Sequence, residues 1–123
     1  MPNIKISDEM RGDLIVTALE GGSNYWYNIS TRADRIIDKY KKDNLCFSEY
    51  FWEAIKAGES IPIHDIETNQ KLGEINLQSI EVGEQTMADE YPRHLADIVS
   101  GNWDAETADV WFQLAVMNEL VYG

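Results

Sequence analysis

Asp104-Ala105-Glu106-Thr107-Ala108-Asp109-Val110-Trp111-Phe112-Gln113-Leu114-Ala115-Val116-Met117-Asn118-Glu119-Leu120-Val121 is the stretch that decides the fold. Asp104 is a helix N-cap, and the helix expected over 105–121 is apolar almost all round. Ala108, Trp111, Phe112 and Ala115 cover one side; Val110, Leu114, Met117 and Val121 cover the other. A helix apolar on both sides is the buried centre of its domain, so the remaining elements are expected to pack around it. Glu106 and Asp109 fall near the helix N-terminus, where the macrodipole favours acids, and capping accounts for both. Glu119 projects near the side of Ala108, Phe112 and Ala115. If that side is buried, Glu119 needs an arginine or a tyrosine hydroxyl as partner.

Upstream, Ser7 precedes Asp8 and Glu9, acids suited to a first helical turn. Met10, Leu14, Ile15, Ala18 and Leu19 follow helical spacing, and Gly21 suits the residue after the helix end. A second helix starts near Thr31, with Ala33, Ile36, Ile37 and Tyr40 as its stripe and Arg32, Arg35, Lys39, Lys41 and Lys42 outside. A third runs from an N-cap at Ser48 to Gly58, with Phe51, Ala54 and Ile55 inward. After Asn76, another N-cap, Leu77, Ile80, Met87 and Tyr91 lie near one face, although Gly83 weakens that helix. Pro92 fits the first position of a short helix through Leu95, Ile98 and Val99 that Gly101 ends.

Between these helices the period changes from helical to alternating. Ile61, Ile63 and Asp65 alternate with Pro62, His64 and Ile66, then 67–71 turn the chain into Leu72-Gly73-Glu74-Ile75, which reads as a β-hairpin. Pro62 argues that its strand lies at an edge. Tyr25-Trp26-Tyr27-Asn28-Ile29 is a candidate third strand, because aromatics suit a half-buried pleated surface. The expected fold class is α+β: a mostly helical single domain over 1–123, five to six helices around a central C-terminal helix, with a small antiparallel sheet.

Composition agrees with a globular domain. With 44% apolar and 26% charged residues, the chain has enough material for one core and no signature of disorder. A single cysteine, Cys46, cannot form an internal disulfide, which fits a reducing compartment. Residues 1–7 have no apolar leader core, and no apolar run approaches the length of a membrane span. The expected setting is the cytoplasm.

The net charge of −12 is unevenly placed. After Lys71 the only basic residue is Arg93, against ten acids; up to Ile61 the counts are eight basic and ten acidic. The acidic half repels polyanions and disfavours duplex DNA or RNA as a partner. It favours a basic partner surface, or plain solubility.

The densest local feature is Glu20-Gly21-Gly22-Ser23-Asn24-Tyr25-Trp26. Gly21 and Gly22 allow close backbone approach, Ser23 and Asn24 offer donors and acceptors, and Tyr25 and Trp26 offer a stacking face. Together with Arg32 and Arg35 of the basic helix, Gly21, Gly22, Asn24, Tyr25 and Trp26 form a candidate site for a small nucleotide-like ligand. The competing reading is a helix end, a turn and a strand whose aromatics fill the core. Neither phosphate-loop pattern occurs in the chain.

That segment, with Tyr91-Pro92-Arg93-His94, Asp104-Ala105-Glu106-Thr107-Ala108-Asp109-Val110 and the closing Val121-Tyr122-Gly123, resembles a family of small uncharacterised proteins of bacteriophages and prophages. The resemblance covers most of the chain. It implies an accessory, phage-encoded setting and no more, and brings no activity, cofactor or catalytic residue with it; that such proteins often act on host defence or host enzymes is an analogy of context, not of chemistry.

A second polar constellation is Arg93, His94 and Asp97. His94 and Asp97 are i and i+3 on one helix, so a carboxylate could orient and raise the imidazole for acid–base work; a surface ion pair is the plainer reading. His64 is expected on a strand facing water or an interface. Nothing in the spacing of His64, His94 and the acids predicts a metal site, and no cofactor is implied. Cys46, between Leu45 and Phe47, reads as a buried, inert thiol. Three functions follow in order: a non-enzymatic protein that engages a host protein through acidic surface, with nucleic-acid mimicry or an anti-defence role as variants; a nucleotide-like ligand binder; and an enzyme using His94 with Asp97. The edge near Pro62 and the aromatic cluster are both surfaces that could pair copies of the chain.

Overall fold

In chain order the elements are α1 (Asp8–Thr17), a π-helical turn (Ala18–Gly22), β1 (Tyr27–Asn28), α2 (Thr31–Asp38), α3 (Phe47–Lys56), β2 (Ile61–Asp65), β3 (Lys71–Ile75), α4 (Leu77–Glu90), α5 (Pro92–Ser100) and α6 (Ala105–Met117). This computed structural model describes residues 6–123; residues 1–5, part of the stretch read as lacking a leader, lie outside the described residues. The fold is mostly helical α+β, with a three-stranded antiparallel sheet in the order β1-β2-β3. No helix among the described residues is long and apolar enough to cross a membrane.

Helix α6 is the centre. Every residue from Thr107 to Val116 is buried, and α1, α4, α5, the π-helical turn and β3 all pack on it. Its N-terminus is capped as expected, Asp104 Oδ1 accepting the Thr107 N–H at 3.1 Å. Its other end comes earlier than expected. Asn118 adopts a left-handed conformation (φ 58°) and its N–H closes on the Leu114 carbonyl at 2.9 Å, a conformation asparagine tolerates. Glu119 therefore leaves the helix and is exposed, with no buried face to join.

Close approach to α6 depends on glycine at three places: Gly73 of β3, where a Cβ would collide with the Val116 carbonyl oxygen, Gly83 and Gly22. A Cβ at Gly83 of α4 would lie 2.5 Å from the Leu114 carbonyl oxygen, and one at Gly22 would lie 2.6 Å from that of Ala105. Gly83, which looked like a weakness in α4, is what lets α4 lie against α6.

The helix starts follow side-chain capping. Ser7, Ser30 and Asn76 accept the N–H of Met10, Ala33 and Ser79 at 3.2, 3.1 and 2.8 Å. Helix α3 corrects the expected cap: it begins after Cys46, whose N–H donates to Glu49 Oε1 at 2.9 Å. Ser48 lies inside the first turn, buried, and donates to Glu20 at 2.5 Å. Cys46 is accordingly exposed rather than buried, because a cap position points away from the helix's apolar face. Helix α1 passes into the π turn instead of stopping at a left-handed Gly21; its positive-φ glycine counterparts are Gly58 and Gly101, the latter ending α5 as expected (φ 80°).

The hairpin pairs Ile61 with Ile75 and Ile63 with Gly73. Pro62 does not mark an edge: β2 is the central strand. The proline is accommodated because β1 is two residues long and pairs only with His64 and Asp65, leaving β2 without a strand partner on that side at Pro62. The aromatic strand expected over 25–29 shrinks to Tyr27–Asn28, since Tyr25 and Trp26 are turned to another task.

Candidate functional site

That task is a buried carboxylate. Asp109 of α6 is 8% exposed, and four side chains donate to it. Ser23 Oγ and Trp26 Nε1 reach Oδ1 at 2.7 and 2.8 Å; the Tyr25 hydroxyl and Gln113 Nε2 reach Oδ2 at 2.6 and 3.2 Å. Gln113, one turn along α6, then holds the chain's end: its Oε1 accepts the N–H groups of Val121 and Tyr122 at 2.9 and 3.0 Å, and its Nε2 donates to the Tyr122 carbonyl at 3.1 Å. The Tyr122 ring stacks on Trp26 with centroids 5.1 Å apart and planes 9° apart, and its hydroxyl donates to Asp65 at 2.5 Å. Three separated motifs, 20–26, 104–110 and 121–123, meet at this clasp. Capping, the reading given to Asp109 from the sequence, is not its role: it satisfies a set of buried donors.

The tyrosines report the clasp. Half of Tyr25 is open to solvent, but its hydroxyl end is turned inward. Withdrawal of that hydroxyl from water, then its bond to Asp109, push its pKa to about 12. Tyr122 is pushed to about 12 by burial first and then by Asp65. Folded pKa values above the ordinary 10.0 mean that these contacts stabilise fully below pH 10 and lose their contribution as pH rises through about 12. In a near-ultraviolet absorbance titration, two of the six tyrosines should therefore ionise last, and Tyr25→Phe with Tyr122→Phe should remove that late component. Ionisation of all six near 10 would contradict the clasp.

The residues picked from the sequence fall into separate places. Trp26 is 1% exposed and covered by Tyr122; Gly22 backs onto α6; Gly21, Asn24 and the ring of Tyr25 face solvent. Arg32 and Arg35 are exposed on α2, which packs on α3 and β2. Arg32 lies close enough to Glu74 on β3 to help lower the pKa of that carboxyl, after the larger effects of Lys71 and Ser60. The 20–26 segment thus spends its Ser23, Tyr25 and Trp26 donors on Asp109.

His94 and Asp97 share α5 but do not meet. Among the described residues no hydrogen bond or ion pair joins Asp97 to His94 or Arg93; His94 Nδ1 instead bonds Thr107 Oγ1 at 3.1 Å, tying α5 to α6. Arg93 is exposed. His64, on β2, is half-buried with Nδ1 unpartnered among the described residues. No cluster of three or more histidine, cysteine or acidic side chains suited to a metal ion occurs among the described residues.

Three concave features were not anticipated; one, of about 330 Å³ between α4 and the end of α6, is lined by uncharged residues. Another is a cleft of about 470 Å³ bordered by α1, α4 and α5. At its wall Arg11 grips Glu84 with both arms (Nε to Oε2 3.0 Å, Nη2 to Oε1 2.6 Å), and Trp111 Nε1 donates to the same carboxylate at 3.0 Å. The Arg11–Glu84 pair is committed within the fold, and Glu81, also on this wall, has no partner among the described residues. The third is a groove of about 240 Å³ between α1 and α3, edged by Asp8, Glu9, Asp13, Glu49 and Glu53. Its floor is Gly12, Val16, Leu45 and Trp52; at its rim Asp8 pairs with Arg11 at 3.3 Å, Glu53 with Lys56 at 2.5 Å, and Glu49 accepts the Cys46 N–H, which leaves Glu9 and Asp13 without a partner among the described residues. Counting along the chain hid it: residues 1–61 look balanced because the basic face of α2 cancels these acids on paper, whereas in space α2 presents its charge elsewhere.

No protein-family model, curated protein or solved structure matches the chain.

Proposed function

We propose that the protein is a non-enzymatic accessory protein of phage or prophage type, working in the cytoplasm, that binds a basic protein partner through its acidic surface. The observation that carries this reading is the α1–α3 groove: five carboxylates around an apolar, tryptophan-bearing floor. Charge of one sign in a concavity focuses the field and steers an oppositely charged partner. Polar groups singled out from the sequence are spent on contacts within the fold. Ser23, Tyr25 and Trp26 all donate to Asp109, and His94 is engaged by Thr107.

The test is capture from bacterial extract by immobilised protein, followed by a salt gradient. Retained proteins should be rich in lysine and arginine and should elute as ionic strength rises to about 0.5 M, where screening is nearly complete over a few ångströms. Retention that ignores salt, or no retention, would contradict the proposal.

A further inference from the structure

We infer that the α1–α3 groove is the docking site for a basic peptide segment of that partner: a lysine or arginine side chain is held by Glu9 and Asp13, the groove carboxylates without a partner among the described residues, while a peptide carbonyl accepts the Trp52 indole N–H. The inference rests on the reading of the protein as an acidic binding protein.

The two helices run antiparallel. Gly12 of α1 faces Trp52 of α3, and Glu20, past the end of α1, reaches Ser48 at the start of α3. Glu49, Trp52, Glu53 and Lys56 are spaced i, i+3, i+4 and i+7, so they share one face of α3. Trp52 is 7% exposed, and its Cδ1–Nε1 edge lies 3.0 Å from where a side chain at Gly12 would begin. Nothing among the described residues accepts its N–H, and the nitrogen is not sealed from solvent, so an acceptor can reach it from outside. The absence of a side chain at Gly12 leaves that edge bordering the groove, where a carbonyl from outside would complete it.

The same face already accommodates a cation. Lys56 Nζ sits 5.7 Å from the Trp52 ring centroid and 2.5 Å from Glu53, an ammonium held between an aromatic ring and a carboxylate. Val16 and Leu45 supply apolar contact for the methylene stem of an incoming side chain. A volume of about 240 Å³ suits one long basic side chain, and the five carboxylates repel phosphate-bearing ligands.

An N-acetylated, C-amidated oligoarginine peptide is a suitable probe, read by the indole N–H signals of the four tryptophans in nuclear magnetic resonance spectra. The Trp52 signal should shift and saturate, while those of Trp26 and Trp111, committed to Asp109 and Glu84, stay in place. The double variant Glu9→Gln/Asp13→Gln should bind about tenfold more weakly, and Glu90→Gln/Glu119→Gln, with the same charge change outside the groove, less than about twofold more weakly. Equal weakening by both pairs, or binding that leaves the Trp52 signal unmoved, would overturn the groove as the site and leave the acidic-surface reading standing. No binding to the wild-type protein at low salt would overturn both.

Discussion

Asp109→Ala is expected to destabilise the protein by about 3–5 kcal/mol, because several buried neutral donors lose their shared acceptor at once. The substitution strands donors that cannot reach water: Ser23 is 0% exposed and Trp26 is 1% exposed. A buried donor left without an acceptor costs about 1–3 kcal/mol on its own. Loss on this scale would consume a large part of the roughly 5–15 kcal/mol that holds a typical domain together. Asp109→Asn keeps the shape but replaces one acceptor oxygen by an NH₂ group facing the Tyr25 and Gln113 donors, or the Ser23 and Trp26 pair if turned over, so it should fall between alanine and wild type. Urea unfolding followed by tryptophan fluorescence measures both variants. A loss below about 1 kcal/mol for alanine, the range of a surface change, would mean that the clasp does not hold the fold.

Gly83→Ala gives the second large effect, and its sign opposes helix propensity. Alanine in the interior of α4 should favour the helix by about 0.8–1.0 kcal/mol over glycine. Its Cβ, however, would sit 2.5 Å from Leu114 O, 2.6 Å from Leu114 C and 2.8 Å from Ala115 N. These are backbone atoms of the most buried helix, and they cannot rotate aside. Overpacking of this kind costs about 1–3 kcal/mol, with the rigid backbone placing this site at the upper end. The expected drop in Tm is on the order of 10 °C for a chain of this size. Gly21→Ala is the matched control: a Cβ there meets nothing within 4 Å, and the change should stay within about 0.5 kcal/mol. A Gly83→Ala variant as stable as wild type would show that α4 and α6 do not approach so closely.

Much of the fold was legible because its signals are local or strongly periodic. Helix α6 announces itself by being apolar all round, and Ser7, Asn76, Pro92, Gly101 and Asp104 mark helix ends by their own chemistry. The errors arise where the deciding partner is distant in sequence. Pro62 looks like an edge residue until the brevity of β1 is known. Cys46 looks buried from its neighbours Leu45 and Phe47, but capping of α3 turns it outward. Asp109 is the instructive miss. Its position near a helix N-terminus offers an adequate explanation in capping, yet Asp109 and Gln113, one turn apart on a helix otherwise apolar, required buried partners. The donors Ser23, Tyr25 and Trp26 were themselves singled out, and pairing them with Asp109 needed only the question of where a buried carboxylate finds its hydrogen bonds. The groove was less accessible. Asp8, Glu9, Asp13, Glu49 and Glu53 come from two helices whose antiparallel packing no linear charge count can display.

The central claim, recognition of a basic partner through the α1–α3 groove, is tested most directly by zero-length carbodiimide cross-linking of the protein to the lysines of a salt-eluted partner, with the joined peptides mapped by mass spectrometry. Cross-links concentrated on Asp8, Glu9, Asp13, Glu49 and Glu53 are the predicted result. Cross-links confined to the acids of α4, α5 and the 104–119 stretch, with the groove carboxylates unmodified by partner lysines, would contradict it.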